Sequence, residues 1–278
     1  MGRKKILSWR VLVMCVLLVL VGISLFPIYW MFITSFKTNA DVAVFPPDLT
    51  VKNPTVSSYV QVLNRAPVLT YLRNSTAVCG IAVGICLVLG SLTGYGFSRF
   101  RFRGSNLLLL LVIGTRMVPP ISLTVPFYLM AKALGILNTW SVLIMCYVFL
   151  NLPFAIWIMT KFFDSVPTEL YDAALVDGCS RIGWFSRIGL PLALPGLGAV
   201  AIISLLWSWS EFLYAFIYTL TPAAQTITVG VFDFIADAFI AYNWLAAGGV
   251  FAVLPVIIFV MIFQRFIVGG LVTGSVKG

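Results

Sequence analysis

The stretch Ser165-Val-Pro-Thr-Glu-Leu-Tyr-Asp-Ala-Ala-Leu-Val-Asp-Gly178 is the core of a polar segment, residues 161–191, that interrupts an otherwise apolar chain. This segment, the polar island, holds seven of the 27 charged residues in a sequence of 278. Charged side chains are costly in hydrocarbon, so the island must project from a membrane as a folded piece. The sequence therefore predicts membrane segments on both sides of the island and a partner that contacts it outside the bilayer.

Composition indicates an integral membrane protein. The chain is 61% hydrophobic and only 10% charged, whereas about a quarter of an average soluble protein is charged. Apolar runs of about 20 residues, the length that crosses a bilayer as a helix, recur along the chain without any period-two alternation. We therefore predict an all-α membrane protein with six transmembrane helices, near residues 11–34, 74–97, 106–132, 140–163, 192–220 and 248–268.

The loops between these spans predict the domain organisation and the orientation. Residues 1–34 form an N-terminal segment with the first helix, 35–73 an external loop with a short helix at 57–64, 74–268 a core domain of five helices, and 269–278 a tail. Six spans put both termini on one side, and that side carries twelve basic residues against five on the other. Because basic loops stay in the cytoplasm, both termini and the polar island are expected there.

Residue types that support other functions are missing from the sequence. There is no histidine, and the five cysteines contain no Cys-x-x-Cys pair, so they are interpreted as packing residues and not as a metal site. The net charge is +9, but the basic residues lie at the ends of the apolar segments and do not form a basic face interleaved with aromatic residues, which argues against nucleic-acid binding. Gly270 to Gly274 lacks the lysine of a phosphate-binding loop, so no cofactor is expected on this chain.

The third span contains an arginine followed by two prolines, Arg116-Met-Val-Pro-Pro120. Arg116 lies about 15 Å along a helix from the arginine-rich end of the span, and a charge near the midplane costs about 3 kcal/mol. Pro119 and Pro120 donate no backbone hydrogen bond, so the helix is expected to break and to free carbonyl groups. Arg116 then either faces a water-filled path with a functional role or binds those carbonyls as a structural residue.

The second and fifth spans carry further unusual residues. Glu211 lies about 29 Å along a helix from the start of the fifth span, near the far interface, so a direct pair with Arg116 is not expected. The neighbouring tryptophans of Trp207-Ser-Trp-Ser-Glu-Phe212 either line a carbohydrate path or form an interfacial belt. Four glycines of the second span permit close helix packing, within the chain or with a subunit: Gly80, Gly84, Gly90 and Gly94.

Within the polar island, local signals predict two short helices. Pro167 suits a first turn, with Asp164 or Ser165 as the cap, and the helix should run over 167–176. Gly178 permits the left-handed conformation that ends it, and Ser180 should cap a second helix over 181–188. An amphipathic hairpin lying on the membrane surface is the alternative. One face of the first helix presents residues at i, i+3, i+4 and i+7: Leu170, Ala173, Ala174 and Asp177.

The island also carries a family resemblance. Glu169-Leu-Tyr-Asp-Ala-Ala-Leu-Val-Asp-Gly178, with Ile188, Leu190 and Pro191 behind it, resembles the cytoplasmic Glu-Ala-Ala loop of binding-protein-dependent ABC importer permeases. In that family the loop forms a coupling helix, here between spans four and five, that docks in a groove of the ATP-binding subunit. Asp172 takes the place of the usual glutamate. The resemblance implies these ATPase-coupling residues: Glu169, Leu170, Asp172, Ala173, Ala174, Asp177 and Gly178.

Five other short stretches of the sequence resemble recurring motifs of the carbohydrate permeases of the maltose, trehalose and glycerol-phosphate type. They are Asn74-Ser75, Arg116-Met-Val-Pro-Pro120, Pro126-Phe-Tyr128, Leu134-Gly-Ile-Leu-Asn-Thr139 and Trp209-Ser-Glu-Phe212, the last with Ser210 where the family has asparagine. The resemblance implies the type I ABC importer fold, with this chain as the second permease. Together with the spans it suggests translocation-path residues: Arg116, Pro119, Pro120, Trp209 and Glu211.

The function that this resemblance implies is that of a permease subunit of an ATP-driven sugar importer. Its partners would be a second homologous permease, two ATP-binding subunits that hold ATP and Mg²⁺, an extracytoplasmic sugar-binding protein, the sugar and the lipid bilayer. The location would be the cytoplasmic (inner) membrane of a bacterium or archaeon. Two alternatives stay open: a channel or receptor gated by a partner, and an intramembrane enzyme, for which the spans offer only Arg116 and Glu211 as charged groups away from their ends.

Overall fold

The computed structural model describes residues 2–100, 102–236 and 241–275, and every regular element in these ranges is helical. The α-helices are α1 (Gly2–Ser35), α2 (Asn39–Val42), α3 (Ser57–Arg65), α4 (Val68–Arg99), α5 (Ser105–Gly114), α6 (Thr124–Ala133), α7 (Trp140–Ser165), α8 (Thr168–Val176), α9 (Arg181–Trp184), α10 (Leu190–Leu192), α11 (Leu194–Trp209), α12 (Leu213–Tyr218), α13 (Ile227–Ala236) and α14 (Tyr242–Ser275). Thr115–Met117 and Pro120–Leu123 are 3-10 helices, and Phe185–Gly189 is a π-helix. The predicted all-α class is confirmed.

The membrane spans agree with the prediction in number but not in shape. Within the described residues, four helices are long and apolar enough to cross a membrane: Trp9–Ser35, Val68–Arg99, Trp140–Ser165 and Tyr242–Phe263. Two more spans result if each of two bent pairs counts as one: Ser105–Met117 with Pro120–Ala133, bent by 94°, and Arg181–Leu192 with Leu194–Trp209, bent by 72°. The expected break in the third span is confirmed. An unbroken fifth span over 192–220 is wrong, because α11 ends at Trp209 and α12 starts at Leu213.

Proline chemistry accounts for both bends. Val118, which precedes the two prolines of the third span, has φ −74° and ψ 121°, the extended backbone that a following proline favours. In the fifth span the bend lies at Ala193, and Pro195, in the first turn of α11, has no N–H to donate to the carbonyl of Pro191 four residues earlier. Each bend therefore restarts a helix at a proline.

Residues 1–68 and 231–253 form one compact unit. The Ser35 hydroxyl at the end of α1 lies 2.7 Å from the Tyr59 hydroxyl of α3. The side-chain amide of Asn243 in α14 donates to the Lys37 carbonyl at 3.1 Å. The apolar membrane window of α1, in contrast, is 0% buried within the chain. This helix therefore needs lipid or another protein around it.

Residues 69–230 and 254–278 form the second unit, in which α4 packs closely on α7. A Cβ added at Gly90 or Gly94 would lie 2.7 Å from a Cβ of α7. This glycine pair therefore serves packing within the chain, one of the two expected uses. A Cβ at Gly80 or Gly84 would meet nothing within 4 Å.

Candidate functional site: the polar island and the cavity at the broken spans

The first helix of the polar island, α8, ends as the sequence predicts. Gly178 has φ +84°, in the left-handed region. The Cys179 N–H donates to the Ala174 carbonyl at 2.9 Å and the Gly178 N–H to the Leu175 carbonyl at 3.1 Å, the paired bonds of a Schellman motif. The Ser180 hydroxyl then accepts from the Gly183 N–H at 3.1 Å and caps α9, as predicted, but α9 ends at Trp184 and the rest of the predicted helix over 181–188 is π-helical.

The start of α8 differs from the prediction. Asp164 and Ser165 do not cap it, because α7 continues through Ser165, and the Ser165 hydroxyl donates to the Phe162 carbonyl within α7. Pro167 holds the capping position without a side-chain hydrogen bond. Glu169 lies in the first turn, where its charge favours the positive end of the helix.

The coupling residues implied by the resemblance divide between surface and core. Ala174 is 8% exposed and packs into a buried apolar cluster that includes Phe163 and Trp184. It therefore holds α8 to its own chain. The remaining six are exposed and form a surface of small, apolar and acidic residues: Glu169, Leu170, Asp172, Ala173, Asp177 and Gly178.

A cluster behind α8 joins the island to the spans; we call Tyr95, Arg99, Tyr171 and Trp184 the anchor cluster. One Nη of Arg99 donates to the Phe163 and Val166 carbonyls, each at 2.8 Å. The Arg99 guanidinium carbon lies 5.1 Å from the centroid of the Trp184 ring and 5.5 Å from that of the Tyr171 ring. Both rings thereby make cation–π contacts that add to the two hydrogen bonds.

Tyr95 completes the anchor cluster from α4. Its ring stacks on Trp184 with centroids 5.7 Å apart, and its hydroxyl donates to the Arg181 carbonyl at 3.0 Å. Trp184 is completely buried. Sequence reasoning treated Arg99 only as the end of a span and gave Trp184 and Tyr95 no role. A large aromatic residue inside a polar segment was the available signal that the segment folds back on the protein.

At the other candidate site, the broken third span lines a cavity of about 220 Å³. Arg116 lies in the 3-10 helix before the prolines, donates to the Leu150 carbonyl of α7, and places its guanidinium carbon 4.2 Å from the centroid of the Trp207 ring. The polar side chains on the wall come from the 3-10 helix Thr115–Met117, α7, α11 and the break between α11 and α12: Thr115, Arg116, Tyr147, Asn151, Trp207, Ser208 and Glu211.

Buried Asn151 joins two walls of this cavity. Its side-chain nitrogen donates to the Tyr147 carbonyl at 2.8 Å within α7 and to the Ser208 hydroxyl of α11 at 3.0 Å. Such a polar bridge between apolar helices is worth about 0.6 kcal/mol on average and fixes their register. Sequence reasoning did not select Asn151, although a lone amide inside an apolar span is an unusual feature.

Glu211 stabilises the break in the fifth span. Its carboxylate accepts hydrogen bonds from the Tyr214 N–H at 2.8 Å and the Ala215 N–H at 3.2 Å, and so caps α12. From α12, the Tyr214 hydroxyl donates to the Pro120 carbonyl at 3.0 Å and the Tyr218 hydroxyl to the Thr124 carbonyl at 2.7 Å. The Pro120 carbonyl, at the break in the third span, thus accepts a hydrogen bond from a side chain inside the protein, as expected for a carbonyl freed by the prolines.

The five suggested path residues have different positions. Arg116, Pro120 and Glu211 line the cavity, whereas Pro119 is exposed beside it. Trp209 does not line the cavity; it is 6% exposed and its ring lies 6.2 Å, centroid to centroid, from that of Phe259. Trp207 occupies the wall instead, because residues two apart on a helix point in different directions.

The expected separation of Arg116 and Glu211 is partly right. Ion pairs in the described ranges do not include one between these two side chains. Both nevertheless line one cavity, because neither span is the straight helix from which those depths were estimated: the third bends by 94° after Met117, and the fifth breaks between Trp209 and Leu213 beside Glu211. In the same ranges, no three cysteine, aspartate or glutamate side chains are grouped closely enough for a metal ion.

Broken apolar spans around a polar cavity, with an exposed helix between the fourth and fifth spans, define the class of protein as a membrane permease. Residues 86–272 match the family described as "Binding-protein-dependent transport system inner membrane component". The chain belongs to this family. It is therefore a non-catalytic membrane component of an ABC importer, in agreement with the resemblance and against the two alternative functions.

Relatives match along almost the whole chain. The trehalose transport system permease protein SugB of Mycobacterium tuberculosis is 34% identical, covering 100% of both chains. The trehalose/maltose transport system permease protein MalG of Thermococcus litoralis is 32% identical, covering 99% of both. The sulfoquinovosyl glycerol transport system permease protein SmoH of Agrobacterium fabrum is 33% identical over 92% of this chain and 90% of its own.

Solved structures show the same fold. A bacterial ABC transporter involved in the import of the acidic polysaccharide alginate has a TM-score of 0.80 at 19% identity, covering 96% of this chain and 98% of that one. The MetNI methionine ABC transporter, in an inward-facing conformation, has a TM-score of 0.55 at 16% identity, covering 74% of this chain and 96% of that one. The predicted type I importer permease fold is therefore confirmed.

Proposed function

We propose that this chain is the second permease of an ATP-driven importer of a carbohydrate. The sugar class is supported by relatives that carry trehalose, trehalose/maltose and sulfoquinovosyl glycerol in their names. The partners would be a homologous permease, two ATP-binding subunits that hold ATP and Mg²⁺, and an external sugar-binding protein. The observation that carries the proposal is the exposed, glycine-terminated helix α8, fastened to two spans by the anchor cluster.

The exposed surface of α8 is the proposed docking site for an ATP-binding subunit. Docking that differs between two states of the ATPase would bias the permease between inward-open and outward-open conformations. Asp172→Lys reverses one exposed charge on this surface and should abolish uptake, while Asp172→Glu keeps the carboxylate and should retain it. Normal uptake by Asp172→Lys, in complexes that contain the ATP-binding subunits, would contradict this docking site.

The cavity at the broken spans is the proposed contribution of this chain to the translocation path. Arg116 is exposed at its wall, and its described contacts are a carbonyl and an aromatic face, not a carboxylate. A polyhydroxylated ligand offers acceptors for the other guanidinium hydrogens. Arg116→Ala should therefore reduce uptake strongly without loss of assembled complex. Uptake at the normal rate would return Arg116 to a structural role on the Leu150 carbonyl.

The proposed orientation places both termini and the polar island in the cytoplasm. It depends on the excess of basic residues in the loops that share a side with the termini. Fusion of a reporter enzyme to the C-terminus tests it directly: activity only inside the cell supports the orientation, and activity only outside contradicts it.

Purification of the whole complex tests the function itself. The ATP-binding subunits and a second permease should copurify with this chain. ATP hydrolysis by the reconstituted complex should then rise when the binding protein is loaded with its sugar. A complex that contains the ATP-binding subunits but does not respond to any loaded sugar-binding protein would contradict the carbohydrate assignment.

A further inference from the structure

Resting on the proposed function, we infer that Arg99 is a positioning residue that transmits movement of the polar island to the spans α4 and α7. Arg99 is the last residue of α4. Its side chain binds the Phe163 carbonyl in the last turns of α7 and the Val166 carbonyl in the link to α8, each at 2.8 Å. Arg99 therefore fixes the end of one span to the end of another at the point where the island begins.

The same guanidinium contacts both helices of the island. Its carbon lies 5.5 Å from the centroid of the Tyr171 ring in α8 and 5.1 Å from that of the Trp184 ring in α9. One planar cation thus contacts parts of α7, α8 and α9 from the end of α4. A displacement of α8 or α9 must either carry Arg99 with it or break these contacts.

The packing of Trp184 extends this connection toward the fifth span. The π-helix Phe185–Gly189 follows Trp184 directly. A Cβ added at Gly189 would lie 2.4 Å from a carbon of the Trp184 ring, so only glycine leaves room for the ring. π-helical turns often mark functional sites. This turn leads through α10 into α11, which carries Trp207 and Ser208 on the cavity wall.

Arginine is required by this geometry because the side chain must both donate to two carbonyls and stack on rings. A lysine ammonium keeps the charge but lacks the planar fork and face of a guanidinium. Methionine has a similar length and makes neither kind of contact. Arg103, four residues further on and exposed, provides a matched control in which an arginine without these contacts is replaced.

The test uses the full complex with both permeases, the ATP-binding subunits and the binding protein, reconstituted in liposomes. Arg99→Met, Arg99→Lys and Arg103→Met are compared by the amount of sugar transported per ATP hydrolysed. Arg99→Met should retain ATP hydrolysis but transport about tenfold less sugar per ATP, a typical coupling factor. Arg99→Lys should lie between Arg99→Met and wild type, and Arg103→Met should equal wild type.

Several results would overturn the inference. A wild-type ratio in both Arg99 variants would refute it, and so would a parallel fall of assembly, hydrolysis and transport with the ratio unchanged, because Arg99 would then be only structural. Should Arg99→Met fail to assemble, the ratio for Arg99→Lys decides. If ATP hydrolysis by the wild-type complex does not rise when the sugar-loaded binding protein is added, the proposed function itself is refuted, and the inference with it.

Discussion

Replacement of Glu211 tests whether this side chain stabilises the break in the fifth span or contacts the substrate. Glu211→Ala removes the hydrogen bonds that the Tyr214 N–H and the Ala215 N–H donate, at 2.8 and 3.2 Å. Loss of a helix cap costs about 0.5–2 kcal/mol, and a hydrogen bond to a charged group contributes about 1.5–3 kcal/mol. Because the second bond is long, we expect a loss of about 2 kcal/mol in the free energy of unfolding.

The effect should reach the cavity through α12. Without its cap, α12 holds the Tyr214 hydroxyl less firmly on the Pro120 carbonyl, so the wall of the cavity loses order. Uptake should therefore fall together with stability. Glu211→Gln retains one side-chain oxygen as an acceptor and should lose about half as much stability, roughly 1 kcal/mol. Ser210→Ala is the control, because that hydroxyl donates only within the last turn of α11.

The assay is thermal unfolding of the purified complex, together with the initial rate of sugar uptake at equal amounts of complex. The midpoint should fall most for Glu211→Ala, less for Glu211→Gln and not for Ser210→Ala. A wild-type midpoint for Glu211→Ala combined with lost uptake would refute the capping role, because the carboxylate would then act directly on the substrate.

Three further substitutions test contacts elsewhere in the fold. Gly94→Ala places a Cβ 2.7 Å from the Met159 Cβ and should cost about 1–3 kcal/mol in thermal or denaturant unfolding. Gly84→Ala meets nothing within 4 Å and, because alanine favours a helix interior more than glycine does, should not lower stability. Asn138→Ala removes the side-chain oxygen that accepts from the exposed backbone N–H groups of residues 220 and 221 at 2.8 and 3.0 Å, and should lower the unfolding midpoint by the equivalent of about 1 kcal/mol. Gly178→Ala should cost about 1–2 kcal/mol in the free energy of unfolding, because its φ is +84°. No atom lies within 4 Å of the added Cβ, so backbone strain alone accounts for this cost. Uptake and stability equal to wild type would refute it and show that the backbone at the end of α8 relaxes.

Length and local chemistry made much of the fold predictable. Spans one, two, four and six follow from apolar length, and Pro119 and Pro120 mark the break in the third. Gly178 and Ser180 act within one turn of their own positions, so the end of α8 and the cap of α9 could be read directly. These features depend on neighbours along the chain.

Features that depend on distant neighbours were not predictable. A membrane helix is apolar on all sides, so periodicity does not show which of Trp207 and Trp209 faces the interior. The α4 helix begins at Val68, whereas the span was predicted from residue 74. Arg73, which was expected in the loop, is therefore helical, and its guanidinium carbon lies 5.6 Å from the centroid of the distant Trp140 ring. The partners of Arg99 are more than 60 residues away in sequence, and no local signal identifies them.

The two candidate sites share one helix, α7, and that arrangement suggests how they communicate. Arg99 binds the Phe163 carbonyl and Arg116 binds the Leu150 carbonyl, so an arginine from another span contacts α7 at each of two levels. These carbonyls lie thirteen residues apart, about 20 Å along a helix. Pro153 lies between them and cannot donate to the carbonyl four residues earlier, which makes this the point where α7 bends most easily. Movement of the polar island would then reach the cavity as a change in the bend angle of α7 at Pro153. Gly90 and Gly94 of α4 pack on the part of α7 after Pro153, so this part would move together with α4.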